Sequence, residues 1–204
     1  MDLLLLDNYD SFTFNLYHYL LLGGAKRVEV VRNDQITLAE VSTFDAIVLS
    51  PGPGLPKDAG LMPEIVANFV TKKPVLGVCL GHQALGQFFG ANLSNLNSIY
   101  HGVARKTHIV KDGFLYQDLP TSFLSARYHS WGFYMDDFPK CLEITAKDEK
   151  NVVMSFQHLS LPITGIQYHP ESVLSEYGHK ILENWISYAK NRKDDLTAIP
   201  VSKK

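Results

Sequence analysis

One cysteine stands between two glycines in the segment GVCLG, residues 77–81, directly after a short apolar run. The pattern G-x-nucleophile-x-G is typical of a sharp turn from a strand into a helix. Unpaired N–H groups at the start of that helix would favour a thiolate on Cys79, and the N–H of Leu80 would be available to an oxyanion. Because cysteine is also a common core residue, this segment alone leaves Cys79 as either a nucleophile or a buried side chain.

A cysteine nucleophile usually needs a histidine and often an acid that orients it. The strongest of the eight histidines is His169, in the segment QYHPES. His169 and Glu171 are two residues apart in chain that is expected to be extended, so both side chains face the same way. Pro170 between them stiffens the backbone and excludes a helix. HPE alone is more often a plain turn, but together with GVCLG it predicts a Cys-His-Glu triad.

A third segment, SPGPGLP at residues 50–56, contains two Pro-Gly pairs. Such a loop is rigid, and Gly54 can expose its N–H because no side chain stands in the way. Alone, the segment is better read as a tight turn without a ligand. Its glycines do not have the spacing of a phosphate-binding loop, and no H-E-x-x-H motif or Cys/His cluster suggests a metal.

The elements that must position these residues alternate between strands and helices in the first half of the chain. Apolar runs predict strands, with a helix after each, at Leu3–Leu6, Arg27–Arg32, Ala46–Ser50 and Pro74–Val78. This order predicts an α/β fold with a flavodoxin-like open, mostly parallel central sheet flanked by helices. The loops DNYDS and PGPG and the residue Cys79 each follow a strand, so they should meet at its carboxyl edge, where such sheets bind ligands.

The second half changes character. Short β-like segments from Asn92 to Tyr168 predict antiparallel strands that extend or cover the sheet, followed by a helix from about Tyr177 to Asn191. We expect a single domain over residues 1–191 and a flexible tail over residues 192–204.

The composition is that of an ordinary globular protein, with 204 residues, 46% hydrophobic and 20% charged. A net charge of −2 gives no reason to expect nucleic acid or an anionic membrane surface. The two cysteines do not form a disulfide framework, which favours a reducing, cytoplasmic setting. The apolar run LLLL near the N-terminus is too short for a membrane span or a signal peptide.

The three segments together resemble the class I (triad-type) glutamine amidotransferases, which carry P-G-P-G, G-x-C-x-G-x-Q and H-P-E in this order. The N-terminal LLLLDNYDSFTFNL, His101-Gly102 and RYHS at residues 127–130 resemble one branch of that family. This branch contains the glutaminase subunits of anthranilate synthase and of aminodeoxychorismate (4-aminobenzoate) synthase. The resemblance covers about residues 3 to 189.

The resemblance implies a nucleophile at Cys79, a general base and acid at His169 and an orienting acid at Glu171. The amides of Gly54 and Leu80 would form the oxyanion hole. The residues that would hold the glutamine substrate are Gly52, Pro53, Gly54, Gln83 and the backbone of Ser130 and Trp131. The chain departs from the branch in two places: HSWGF stands where HSL is usual, and Val103 follows His101-Gly102 where lysine is frequent. The first departure is expected to change the shape of the pocket or the surface that faces the partner. The second removes any contact that depends on the lysine.

The resemblance further implies hydrolysis of L-glutamine with no metal or organic cofactor in this chain. Since it uses nearly all of the chain, the ammonia acceptor site should lie on a separate chorismate-using synthase subunit, which would carry the magnesium. A free-standing γ-glutamyl hydrolase of the same fold stays open as an alternative. A flavin-binding flavodoxin-like module is disfavoured because DNYDS has no glycine, and an inactive regulatory subunit because the triad residues are intact.

Overall fold

The structure, a computed structural model, describes residues 1–96 and 100–198, with side chains as far as residue 192 in the last helix. The strands, in chain order, are β1 (Asp2–Asp7), β2 (Arg27–Arg32), β3 (Ala46–Leu49), β4 (Val75–Val78), β5 (Ser94–Asn95), β6 (Val103–Ile109), β7 (Ser122–Arg127), β8 (Trp131–Gly132), β9 (Leu142–Lys147), β10 (Val153–His158) and β11 (Ile163–Ile166). The α-helices are α1 (Thr13–Leu22), α2 (Leu38–Ser42), α3 (Met62–Phe69), α4 (Leu80–Phe88) and α5 (Gly178–Ala198). Single 3₁₀ turns occur at Pro56–Asp58 and Phe114–Tyr116.

Strands from both halves of the chain join in one nine-stranded sheet, in the order β2-β1-β3-β4-β11-β10-β9-β6-β7. The pairs β1–β2, β1–β3 and β3–β4 are parallel, which confirms the predicted parallel centre. The four leucines of β1 are fully buried. Leu3 and Leu5 belong to the core under α1 and α5, and Leu4 and Leu6 to the core under α3 and α4. A strand covered by helices on both faces reads as an unbroken apolar run, which explains the LLLL segment.

Thr37 and Glu40 in the segment TLAE have the spacing of a capping box, which predicts the start of a short helix, and this box is present at the start of α2. The Thr37 hydroxyl accepts from the Glu40 N–H at 3.3 Å, and the Glu40 carboxylate accepts from the Thr37 N–H at 2.8 Å. Two N–H groups that the helix itself cannot satisfy are thereby paired.

The last strand differs from the expectation of antiparallel strands in the second half. β11 pairs antiparallel with β10, its neighbour in sequence, but parallel with β4. The hairpin that joins β10 to β11 sets the direction of β11, and β11 then enters the sheet beside β4 rather than at an edge. Its carboxyl end therefore meets the same edge of the sheet as that of β4.

The remaining strands of the second half follow the prediction, since β6, β7, β9 and β10 form antiparallel pairs. A small two-stranded sheet of β5 and β8 was not predicted, because each strand has only two residues. The final helix α5 continues to Ala198, beyond the expected end near Asn191. The rest of the predicted tail, residues 199–204, lies outside the described residues.

Candidate active site

Cys79 lies at the turn between β4 and α4, where it is the N-cap residue of the helix with φ +51° and ψ −99°. Positive φ is unusual for a residue with a side chain and indicates a strained turn. The two flanking glycines are required by close backbone contacts. A Cβ on Gly77 would lie 2.4 Å from the carbonyl carbon of Gly81, and a Cβ on Gly81 would lie 2.5 Å from the carbonyl oxygen of Leu49. The elbow inferred from GVCLG is therefore the observed geometry.

His169 and Glu171 are in contact, but the expectation of extended chain between them is wrong: residues 170 and 171 lie in a turn, in which the Ser172 N–H donates to the His169 carbonyl oxygen at 3.3 Å. The His169 Nδ1 lies 2.7 Å from the Glu171 Oε1, and both residues are buried, with exposed fractions of 2% and 1%. Burial alone would lower the pKa of His169, but the charges of Glu171 and Cys79 outweigh it and raise that pKa well above its usual value. Among the described residues the His169 Nε2 has no partner other than the Cys79 thiol, whose hydrogen bond also contributes to the raised pKa of His169.

Aromatic rings flank the His169 imidazole. The ring centroid of Tyr128 is 4.7 Å away and that of Phe12 is 6.1 Å away in an edge-on contact. These two rings also contact each other at 5.3 Å. The sequence did not assign them a role, although both lie in segments that carry the resemblance. They limit the positions that the catalytic imidazole can adopt and shield it from water.

A cavity of about 440 Å³ opens at the carboxyl edge of the sheet. Cys79 and His169 line it, together with loop residues Tyr9, Asp10, Ser11, Phe12, Pro51, Gly52, Pro53, His101 and Tyr128. The three loops that the sequence placed at this edge thus meet around the cysteine. Burial raises the pKa of the Asp10 carboxyl group, while the nearby positive charge of His169 acts against that rise.

The predicted oxyanion donors belong to two segments, the start of α4 and the PGPG loop. Leu80 is the first residue of α4, so its N–H has no carbonyl partner within the helix. Gly54 has φ +76° and nothing within 4 Å of the position of a Cβ, so its backbone conformation, rather than crowding, selects glycine there. Gly52 is selected by crowding instead, since a Cβ would lie 2.5 Å from the Asn8 carbonyl oxygen.

The other residues predicted to contact glutamine, Gln83, Ser130 and Trp131, are hydrogen-bonded within the protein. The Gln83 Nε2 donates to the Trp131 carbonyl oxygen at 3.1 Å, and the same oxygen lies 3.0 Å from the His129 Nδ1. The Ser130 carbonyl oxygen accepts from the Leu96 N–H at 2.7 Å. In this structure the protein therefore already uses both carbonyl groups of Ser130 and Trp131, and the Trp131 carbonyl accepts two hydrogen bonds.

One residue of the site was missed. The Gln167 side chain is fully buried, and its Nε2 lies 3.6 Å from the Cys79 Sγ. The sequence signal for it is its position two residues before His169, within the segment QYHPES.

Two further observations bear on the type of site. Among the described residues, no group of three His, Cys, Asp or Glu side chains could hold a metal ion. Within the same residues, no helix has the length and apolar character needed to cross a membrane.

The chain is similar to known proteins over nearly all of its length. The family model for class-I glutamine amidotransferases matches residues 4–188. The chain is 46% identical to anthranilate synthase component 2 of Azospirillum brasilense, covering 91% of this chain and 95% of the relative. It is 42% identical to aminodeoxychorismate synthase component 2 of Serratia marcescens, covering 91% and 99%. A crystal structure from Thermoplasma acidophilum has the same fold, with a TM-score of 0.85, 22% identity and coverage of 97% and 98%. The chain is therefore a member of the class-I glutamine amidotransferase family.

Proposed function

We propose that this chain hydrolyses the side-chain amide of L-glutamine and supplies the ammonia to a separate synthase. The observation that carries the proposal is the meeting of Cys79, at a positive-φ elbow, with a buried His169 whose Nδ1 is held by Glu171. The raised pKa of His169 favours an imidazolium beside a thiolate, which is the reactive form of such a pair.

The reaction has two steps. The Cys79 sulfur attacks the amide carbon, and the C–N bond breaks as His169 gives a proton to the leaving ammonia. Water, deprotonated by His169, then breaks the thioester and releases glutamate. Donors such as the N–H groups of Leu80 and Gly54 would stabilise the oxyanion in both steps, and losing one such donor costs about 3–4 kcal/mol in comparable sites.

We propose that the ammonia passes to an acceptor site on another polypeptide. The two named relatives are components 2 of anthranilate synthase and of aminodeoxychorismate synthase. We therefore propose a chorismate-using synthase subunit, component I, as the partner. On this proposal the partner carries the magnesium, this chain needs no cofactor, and both act in the cytoplasm.

The partner surface should surround the mouth of the cavity. Its proposed parts are the rim near DNYDS, the segment GVARK and the segment HSWGF. Trp131 in HSWGF is half-buried, so part of its ring remains open to a partner. Val173, two residues after Glu171, is 92% exposed and adds apolar surface next to the catalytic loop. Exposed apolar side chains beside a site that must pass ammonia onward support contact at this face.

The test mixes the full chain with each of the two synthase subunits and measures product formed from glutamine. We expect glutamine-dependent synthesis with at least one of them, and Cys79→Ala should abolish it. The same variant should still permit synthesis from added ammonium, because only the ammonia source is lost. Equal glutamine hydrolysis with and without either synthase, and no transfer to product, would instead support the free-standing γ-glutamyl hydrolase. Intact glutamine-dependent synthesis by Cys79→Ala would contradict the mechanism.

A further inference from the structure

Gln167 is a buried amide that the proposed mechanism does not use. Its side chain is fully buried, two residues before His169. Its Nε2 donates to the Cys79 Sγ at 3.6 Å, and its Oε1 accepts from the Gln83 Nε2 at 3.2 Å. Gln167 therefore joins the nucleophile to a residue of the predicted glutamine site.

The hydrogen bonds continue beyond Gln83. A side-chain amide has two N–H hydrogens, and Gln83 directs them to Gln167 and to the Trp131 carbonyl oxygen. The three links run from the sulfur of Cys79 to the backbone of the segment HSWGF. A displacement of that segment can therefore change the position of the Cys79 sulfur.

A buried amide that serves only packing can be satisfied by nearby main chain. Asn184 shows this arrangement, since its Nδ2 donates to the carbonyl oxygens of Leu115 and Gln117 at 3.2 and 2.9 Å. Gln167 instead makes its side-chain hydrogen bonds with two side chains of the site. A donor aimed at sulfur gains strength when the sulfur becomes an anion, because hydrogen bonds to charged groups are stronger than neutral ones.

We propose that Gln167 is a positioning residue for Cys79, which holds the sulfur toward the cavity and stabilises it as a thiolate. The role in glutamine turnover rests on the function proposed above, whereas the effect on the reactivity of the sulfur does not. Gln167 contacts no substrate atom in this scheme and acts only through Cys79 and Gln83.

The test compares Gln167→Met, which keeps the length and removes the amide, with the wild-type chain. Iodoacetamide alkylation of Cys79 is followed by mass spectrometry across a range of pH, so that Cys141 is counted separately. Loss of a hydrogen bond to an anion should slow alkylation of Cys79 at neutral pH about tenfold and move its pH profile to higher pH. With the synthase present, kcat for glutamine should fall by a similar factor, while KM changes by less than about threefold.

Gln157→Met is the matched control, because its Nε2 donates to Glu143 on the neighbouring strand, away from the cysteine. It should alkylate and turn over like the wild type. If Gln167→Met does not fold, Gln167→Asn carries the same expectation, since it withdraws the amide by one methylene. A folded variant with the alkylation profile and kcat of the wild type would overturn the proposal, and so would a variant in which only KM rises. A wild-type chain that alkylates readily but never consumes glutamine would overturn the proposed function and leave the alkylation comparison valid.

Discussion

The backbone N–H of Cys79 donates to the carbonyl oxygen of Ile166 at 2.8 Å. This hydrogen bond joins the ends of β4 and β11, which run in parallel register from Val75 opposite Ile163 to Val78 opposite Ile166. The cysteine thus lies one residue beyond one strand and the histidine three residues beyond the other. The separation between the nucleophile and its base is therefore set by sheet register rather than by a flexible loop.

The Glu171 carboxylate is expected to control the charge on His169. In Glu171→Gln the negative charge is lost, so the pKa of His169 should fall and less of the imidazolium should face the cysteine. We expect kcat for glutamine hydrolysis to drop about 100-fold or more, by analogy with loss of the acid in other triads. Steady-state assays with the synthase present would measure this. Glu176→Gln is the control, since that exposed carboxylate accepts only from the Leu124 N–H in this region. Activity of Glu171→Gln within about threefold of the wild type would contradict the assigned role.

Gly81, two residues after the cysteine, should tolerate no side chain. Gly81→Ala places a Cβ 2.5 Å from the Leu49 carbonyl oxygen, and backbone on both sides leaves little room to adjust. We expect a loss of about 1–3 kcal/mol in the free energy of unfolding, measured by urea denaturation, and impaired alkylation of Cys79. Gly113→Ala is the control, because its added Cβ would meet only the end of Gln157 at 3.7 Å. Equal stability of the two variants would argue against the close packing of the elbow.

Two buried histidines should make the fold sensitive to acid. Burial, chiefly, lowers the pKa of His82 and of His129 to about 3. Between that value and the ordinary pKa of about 6.5, only the unfolded chain binds the proton, so stability is lost as the pH falls through this window. Each group contributes a slope of about 1.4 kcal/mol per pH unit there and none above it.

Urea unfolding at several pH values would measure that slope. His82→Leu should reduce the slope by the contribution of one proton, about 1.4 kcal/mol per pH unit. The leucine would lie between Phe133 and Phe156 and does not titrate. The exposed His18, replaced by glutamine, provides the comparison. The same slope in His82→Leu and the wild type would show that His82 is not the group responsible.

The capping box of α2 should contribute to stability without affecting catalysis. Thr37→Ala leaves the Glu40 N–H without its side-chain acceptor, at a typical cost of about 1 kcal/mol in the free energy of unfolding. Glutamine hydrolysis should stay unchanged, since α2 contributes no residue to the lining of the catalytic cavity. Chemical denaturation and activity assays on one preparation would test both statements, and a loss of activity without a loss of stability would contradict them.

Local patterns in the sequence were sufficient for much of the fold. The LLLL run, the Thr37–Glu40 capping box and the elbow at Cys79 all depend on neighbours within a few residues, and each occurs as predicted. The alternation of strands and helices likewise predicted the parallel centre of the sheet. The spacing of His169 and Glu171 was enough to pair them, although a turn at residues 170 and 171, rather than extended chain, brings the two side chains together.

Tertiary structure decided the rest. The pairing of β11 with β4 and the contact of Gln167 with the Cys79 sulfur each join residues 88 positions apart, and the hydrogen bond from Gln83 to the Trp131 carbonyl oxygen joins residues 48 positions apart. Periodicity and turn residues report only which face of an element is buried, not which element covers it. The sequence by itself therefore determined which residues could do the chemistry. The sheet order decided which of them meet, because strand pairing is selected by the packing of the whole core.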